Sequence, residues 1–377
     1  MAGSGSTSLN DNDVFRARLA RARDEMARQD VDFLFITPSS DMTYMLGYPA
    51  HESERLTLLG VPREGEPFVV VPTLEAVRLE SRRDIVDVHR WEETESPTDL
   101  VARLVEGAAG ARVGVSDRTW AVFLMRLQDA MPETRFTSGN DVLRQLRMHK
   151  DAAEIELMRV AGERTDRAYN RFVVEETVTG KTEQQIADAI GRLMLEEGMQ
   201  NVEFAIVGSG PNGASPHHMT SDRVVQPGDA IVMDFGASWQ HYKSDITRTV
   251  FVGEPTAKFR EVYETVLAAN AAAHAAARPG VACEDIDKAA RDVIEAAGYG
   301  EYFIHRVGHG LGLDVHEEPY MVGGNTLPLA EGMVFSDEPG IYIPGEFGVR
   351  IEDILVCTAD GAESFNQTAR RDLISMA

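Results

Sequence analysis

Two patterns of apolar and polar positions divide this chain. In its first part, short apolar runs typical of strands alternate with stretches whose apolar residues recur at helical spacing. The strands are predicted at 31–38, 67–72 and 112–116, and the helices at 14–29, 74–82, 98–108 and 120–131. This alternation predicts an α/β domain with a mixed sheet.

From residue 140 onward a long helical run begins, and Met148 to Lys150 is the expected hinge between two domains. Further helices are predicted at 152–173, 182–197, 257–277 and 284–297, with strands between them. The sequence therefore predicts an α+β fold of 377 residues. Its parts are a disordered tail at 1–13, a smaller α/β domain at 14–148 and a larger domain at 151–377.

Acidic residues lie in the apolar segments of the larger domain. One apolar run ends at Asp234, which predicts a buried strand with this acid at its end. A polar turn and a second strand with Asp245 follow, so a hairpin would place both aspartates on neighbouring strands. The same design of strand, turn and strand carries Glu338 and Glu352.

These four acids and His309, which lies among glycines between the two pairs, form a set suited to metal binding. Burying an unpaired carboxylate costs several kcal/mol, so metal ligation or a buried ion-pair network is expected. Two divalent ions about 3.5–4 Å apart need several anionic oxygens. Oxygen-rich ligation favours manganese, cobalt, iron or zinc. A structural zinc site would need thiolates or more histidines, and Cys283 and Cys357 lie outside these segments.

With these residues in place, the chain from about Asp151 to its C-terminus resembles the pita-bread metallopeptidases of the prolidase and aminopeptidase P group. The region 14–148 resembles their creatinase-type N-terminal domain. The resemblance implies a pita-bread fold for 151–377 and a centre of two divalent metal ions. Manganese is expected first, and cobalt, zinc or iron are the alternatives.

The resemblance also implies a role for each ligand. Asp234 would bind one metal, Asp245 and Glu352 would bridge both, and His309 with Glu338 would complete the second. Glu338 would also carry the proton from the attacking water to the leaving nitrogen.

Four further residues match family positions around the substrate. His316 resembles the histidine that stabilises the developing oxyanion, and His217 and His305 resemble two histidines placed around the substrate. His218 is the alternative to His217. Arg350, two residues before Glu352, resembles the arginine that supports the ligands in proline-directed members, and this pattern argues against a methionine aminopeptidase.

Composition narrows the function classes. The chain has 37 basic and 61 acidic residues, a net charge of −24, so nucleic acid and anionic membranes would be repelled. No apolar stretch approaches the roughly 20 residues of a membrane span, and no signal segment opens the chain. Two cysteines give no disulfide framework, so a cytoplasmic enzyme is expected.

The expected activity is hydrolysis of the peptide bond before proline, with a dipeptidase (prolidase) preferred because the N-terminal region is compact. An aminopeptidase P acting on longer peptides is the alternative, and a non-peptidase pita-bread hydrolase or a metal-free binding protein comes from other classes. A homodimer is expected by resemblance. In the polar stretch 39–59, Asp41 is the candidate partner of the substrate's α-ammonium group, and an ordinary solvated residue is the alternative.

Overall fold

The computed structural model describes residues 12–105 and 109–377. Two compact units divide between Arg147 and Met148. Residues 1–11 of the predicted tail and residues 106–108 of a predicted helix lie outside the described residues, whereas Asn12 and Asp13 belong to the first helix.

The first unit is built on a six-stranded mixed sheet. Its strands follow the order β4-β3-β2-β1-β5-β6, with β2 antiparallel to both neighbours and the β3–β4, β1–β5 and β5–β6 pairs parallel. The strands are β1 (Phe33–Ile36), β2 (Leu58–Pro62), β3 (Phe68–Pro72), β4 (Asp87–Trp91), β5 (Arg112–Val115) and β6 (Arg135–Ser138). The helices are α1 (Asn12–Arg28), α2 (Ser40–Leu46), α3 (Pro97–Leu104), α4 (Ala121–Ala130) and α5 (Asn140–Met148), with a 3-10 helix at Ala76–Arg82.

The predicted mixed α/β organisation of this unit is confirmed, although four elements escaped prediction. They are helix α2 and strands β2, β4 and β6. Strands β4 and β6 lie at the two edges of the sheet and include exposed positions, so their residues lack the continuous apolar run that marks β1, β3 and β5.

The second unit contains longer helices and three groups of strands, which pair antiparallel except for the C-terminal strand, whose pairing is parallel. Its helices are α6 (Ala152–Glu175), α7 (Glu183–Glu196), α8 (Ala257–Ala276) and α9 (Cys283–Ala296), with 3-10 helices at Gly210–Ala214 and Gly300–Tyr302. Its strands are β7 (Asn201–Ser209), β8 (Ala230–Trp239), β9 (Tyr242–Lys243), β10 (Ile246–Val252), β11 (Gly308–Gly310), β12 (Glu317–Met321), β13 (Val334–Asp337), β14 (Gly340–Ile343), β15 (Phe347–Arg350), β16 (Asp353–Cys357), β17 (Ala362–Ser364) and β18 (Ile374–Met376). The four helices follow the predicted ranges closely, and side chains cap the starts of α6, α7 and α8. Asp151 and Thr182, for example, form capping boxes at α6 and α7.

Two halves of this unit repeat one arrangement, a helix pair followed by antiparallel strands. The leading half, residues 152–252, packs α6 and α7 against the β10-β8-β7 sheet with β9, and the C-terminal strand β18 adds to its edge beside β10. The trailing half, residues 257–364, packs α8 and α9 against the β12-β11-β13-β16-β17 sheet and the β14–β15 hairpin. Each half therefore buries its own apolar core.

Candidate metal centre

One open cavity of about 220 Å³ in the second unit brings together nine of the ten predicted site residues. Its walls contain Asp234, Asp245, His309, Glu338, Glu352, His217, His305, His316 and Arg350. Phe204, Ile206, Pro216, Arg306 and Val315 complete the lining. The tenth predicted residue, Asp41, belongs to the first unit.

The leading half supplies two aspartates, in positions that differ from those predicted. Asp234 lies in the middle of β8 and not at its end, because the strand continues to Trp239. Asp245 lies one residue before β10 and not within it. The two strands pair antiparallel with Asp234 opposite Thr247, so the predicted hairpin relation is confirmed. The hairpin therefore presents both carboxylates to the cavity.

The trailing half supplies two glutamates, and both lie just outside strands. Glu338 follows β13, and its backbone N–H donates to the Val307 carbonyl at 2.8 Å. Glu352 lies between β15 and β16, where its N–H donates to the Thr247 carbonyl at 3.1 Å. The Thr247 hydroxyl donates to Glu352 Oε2 at 2.7 Å. Strand β10 of the leading half therefore fixes Glu352 of the trailing half.

His309 occupies β11 with a defined ring orientation. Its Nδ1–H donates to the Gly310 carbonyl at 3.0 Å, because a carbonyl oxygen only accepts. The lone pair of Nε2 then faces Glu338 Oε1 at 3.3 Å and Asp245 Oδ2 at 3.9 Å. The neighbouring Gly308 has no room for a side chain, since a Cβ would overlap the Ser336 carbonyl oxygen.

The electrostatics of this cluster are those of a cation site. Ligand atoms of Asp245, His309 and Glu352 lie within 4.8 Å of one another, and all three residues are buried. Burial raises the pKa of Asp245 well above its ordinary value, and the charge of Asp234 raises it further. Burial, followed by the charge of Asp245, likewise raises the pKa of Glu352. Crowded buried carboxylates are costly to ionise unless a cation lies between them.

Two buried carboxylate oxygens also indicate a cation site. Asp234 Oδ1 and Asp245 Oδ1 are buried, and within the part of the chain that the structure describes they accept no hydrogen bond. Buried polar atoms are usually satisfied, so each such exception needs an explanation. The donor set of carboxylate oxygens and one imidazole nitrogen therefore fits divalent metal ions.

A hydrogen-bonded chain links Asp234 to His305 in the wall of the cavity. Arg350 NH2 donates to Asp234 Oδ2 at 2.6 Å, and its NH1 donates to the Tyr342 hydroxyl at 2.9 Å. The Tyr342 hydroxyl lies 2.9 Å from His305 Nε2, whose ring uses Nδ1–H for the Arg306 carbonyl. Tyr342 therefore donates to His305 while it accepts from Arg350.

Tyr342 escaped the sequence analysis because an apolar strand residue four positions after Glu338 looks like core. It is indeed buried, and burial raises the pKa of its hydroxyl to about 12. The available signal was the polar tip of an aromatic ring beside a ligand segment, since a buried Tyr hydroxyl needs a partner.

The structure places the two adjacent histidines differently. His217 lines the cavity, whereas His218 Nε2 lies 2.8 Å from Glu183 Oε2 of helix α7. Across the cavity His316 packs on His309 with ring centroids 3.9 Å apart. Burial, together with the neighbouring His309, lowers the pKa of His316 to about 4. A neutral His316 can still donate one N–H.

Asp41 lies on α2, not in an open polar loop, and it is 8% exposed. Its Oδ1 accepts from Arg147 NH1 at 2.7 Å, which is an ion pair inside the first unit. Arg147 thus already neutralises this carboxylate within its own unit. Its role toward the substrate stays a prediction.

Paired helices and antiparallel strands around an acid-rich cavity, preceded by an α/β unit, define a metal-dependent hydrolase of the pita-bread class. The chain belongs to metallopeptidase family M24, whose model matches residues 156–359, and the Creatinase/Prolidase N-terminal domain matches residues 18–149. The predicted family and fold class are thereby confirmed, and the protein is a metallopeptidase that depends on divalent metal ions.

Its relatives cover nearly the whole chain. A protein named Probable dipeptidase PepE from Mycobacterium tuberculosis is 45% identical over 360 residues, 94% of this chain and 95% of that protein. An Xaa-Pro dipeptidase from Lactobacillus helveticus is 39% identical over 351 residues, 89% of this chain and 93% of that protein. The crystal structure of dipeptidase PepE from Mycobacterium ulcerans matches with a TM-score of 0.92 at 44% identity, covering 97% of this chain and 99% of that one. Within the described ranges, no helix of this chain combines the length and apolar character that crossing a membrane requires.

Proposed function

We propose that this protein is an Xaa-Pro dipeptidase that hydrolyses the peptide bond before a C-terminal proline, with two divalent metal ions held by Asp234, Asp245, His309, Glu338 and Glu352. The observation that supports it most is the convergence of these five ligands and three substrate-facing histidines on one cavity. Manganese is the proposed metal, since oxygen-rich sites accept it readily. When bound, the metal ions would polarise the scissile carbonyl and make water nucleophilic near neutral pH.

The chain's own residues divide the remaining work. Glu338 accepts the proton of the attacking water and returns it to the proline nitrogen as the C–N bond breaks. The Ser336 hydroxyl donates to Glu338 Oε1 at 3.0 Å and holds that carboxylate toward the cavity. His316 donates its N–H to the carbonyl oxygen as negative charge develops there.

His217 and His305 border the space next to the reacting bond, and Tyr342 holds His305 in place. Arg350 aligns Asp234 through the 2.6 Å ion pair. These residues orient the substrate and the ligands, and neither role requires them to exchange a proton.

One residue of the cavity wall, Arg306, is the candidate determinant of the preference for dipeptides. Arg306 lines the cavity, and its guanidinium lies over the Tyr320 ring, 4.2 Å from the ring centroid. A dipeptide carries its carboxylate on the proline itself, whereas a longer peptide carries an amide there. An arginine beside this position would bind the carboxylate more strongly than the amide.

Two further features belong to the same proposal. Cys283 and Cys357 are buried and free, as expected in a reducing compartment, so we propose a cytoplasmic enzyme. We propose a homodimer on family resemblance alone. Sedimentation of the purified protein checks the latter.

The test is proline release from Ala-Pro compared with cleavage of Ala-Pro-Ala by manganese-loaded protein, with a chelator control. We expect rapid chelator-sensitive hydrolysis of Ala-Pro and little cleavage of the tripeptide. Comparable or better tripeptide cleavage would make the protein an aminopeptidase P, and activity in chelator would contradict the metal assignment.

A further inference from the structure

A buried carboxylate outside the cavity organises the segment that carries His217. Glu183, the first residue of α7, is fully buried. Its two oxygens together accept six hydrogen bonds, from Ser209 N, Ser209 Oγ, Asn212 Nδ2, His218 Nε2, Ser221 N and Ser221 Oγ, at 2.6–3.1 Å. Such saturation of one carboxylate is unusual, since most side-chain oxygens share their bonds with water.

These donors all lie on the chain between the end of β7 and the start of β8. Residues 215–229 of this connection form no strand or helix, and His217 lies near the start of this stretch. Of the side-chain hydrogen bonds from this connection to α7, the one from His218 lies nearest to His217 along the chain. Met219, one residue further, is 81% exposed and gives the segment little packing support.

Charge explains why a carboxylate occupies this position. Although burial raises the pKa of Glu183, the hydrogen bonds from Ser221, Ser209, His218 and Asn212 outweigh it and lower the pKa to about 2. An ionised acceptor makes stronger hydrogen bonds than a neutral one. Glu183 can therefore fix an otherwise exposed loop at several points at once.

We propose that Glu183 is a positioning residue for the peptidase reaction, which holds His217 at the cavity through its bond to His218. This inference rests on the proposed role of His217 at the substrate. Glu183 itself contacts neither the ligands nor the cavity, so it acts through the loop. Loss of its charge would let His217 move, and a displacement of about 1 Å can cost on the order of a hundredfold in rate.

The experiment is a double-mutant cycle with Ala-Pro as substrate. Glu183→Gln keeps the shape of the side chain but loses its charge, and we expect kcat/KM to fall roughly tenfold to a hundredfold with the metal content unchanged. The loss should divide between kcat and KM as it does in His217→Ala. In the His217→Ala background, Glu183→Gln should cost less than about twofold more, because residues that act as one unit are not additive.

Asp166→Asn is the matched control. Asp166 is also fully buried, and it holds the 366–369 segment through four hydrogen bonds, away from the cavity. We expect this variant to lower the unfolding temperature and to leave kcat/KM within about twofold. An equal loss of kcat/KM in Asp166→Asn would reduce the Glu183 effect to general destabilisation and overturn the proposal.

A crystal structure of Glu183→Gln separates this proposal from the proposed function. A His217 ring that stays in place overturns the positioning role, whatever the kinetics. A displaced ring combined with a fully active His217→Ala supports the anchor and contradicts the role of His217 at the substrate. If Glu183→Gln does not fold, His218→Ala breaks the same link on the exposed side, and wild-type kcat/KM in that variant overturns the proposal.

Discussion

The two halves of the second unit hold a cavity histidine in different ways. In the leading half a single carboxylate, Glu183, gathers the loop of His217. In the trailing half Asp287 and Arg291 of α9 form an ion pair, Asp287 accepts from Val307 N, and Arg291 donates to the His305 carbonyl at 2.9 Å.

The two histidines differ in the number of independent contacts that hold them. His305 has a second attachment through the Tyr342 hydroxyl, and Arg291 also stacks over Phe303, 4.2 Å from the ring centroid. The histidine of the trailing half is therefore fixed at several independent points. In the leading half the backbone N–H groups of Glu183 and Gln184 also donate to the carbonyls of Arg223 and Ser221, but these residues lie further along the loop than His217. We infer that His217 depends more heavily on the Glu183 charge than His305 depends on any single contact.

The largest expected effect comes from one metal ligand of each half. Asp245→Asn and Glu338→Gln should each lower kcat at least about 10³-fold, through loss of a shared ligand and of the proton carrier. Glu363→Gln is the control, because it removes an exposed carboxylate that pairs with Arg159. Near-normal turnover in either ligand variant would contradict the assignment of both halves to one centre.

The next effect concerns the substrate. Arg306→Met should raise KM for Ala-Pro about tenfold, since one charge-assisted contact is lost. KM for Ala-Pro-Ala should change little, so the ratio of the two values is the readout. An equal rise for both peptides would mean that Arg306 does not read the carboxylate.

A smaller effect tests the comparison itself. Arg291→Lys keeps the charge but loses the forked contacts to Asp287 and to the backbone of the His305 loop. Because Tyr342 still holds His305, we expect kcat/KM to fall only about threefold, less than in Glu183→Gln. A greater loss in Arg291→Lys would reverse the ranking of the two anchors.

A separate prediction concerns the pH dependence of stability and not the rate. The pKa of Glu183 lies at about 2 against an ordinary value of 4.5, so its ionisation stabilises the fold above pH 4.5 by roughly 3 kcal/mol. That contribution is lost as the pH falls from 4.5 toward 2. The unfolding temperatures of wild type and Glu183→Gln should therefore converge between pH 7 and pH 3.5.

The unfolding temperature of Asp166→Asn, compared with that of wild type, should show the opposite pH trend in the same experiment. Burial raises the pKa of Asp166 despite its hydrogen bonds, so wild type gains stability relative to this variant as the pH falls. Parallel curves for the two variants would show that neither carboxylate titrates as inferred.

The sequence was informative wherever the signal was local. Helices α6 to α9 could be predicted from the helical spacing of their apolar residues, and the acids stood out because buried strands rarely contain them. The exact placement of Asp234, Asp245 and Glu352 could not be predicted, since where a strand continues depends on pairing with distant segments.

The positioning residues were missed for a related reason. Glu183 lies in the first turn of a helix, where an acidic residue is ordinary. Its six hydrogen-bond donors come from the end of β7 and the connection after it, at least 26 residues further along the chain. Asp287, four residues before Arg291, likewise looks like a surface pair on a helix. Only their contacts in the folded protein distinguish Glu183 and Asp287 from ordinary acidic residues on a helix.

The most direct test of the central claim is a titration of metal-free protein with manganese. Calorimetry measures the ions bound, and the rate of Ala-Pro hydrolysis is measured in the same samples. We expect two ions per chain in the wild type, fewer in Asp245→Asn, and full activity only when both sites are filled. Binding of a single ion, or full activity without any metal, would contradict a centre built from both halves of the unit.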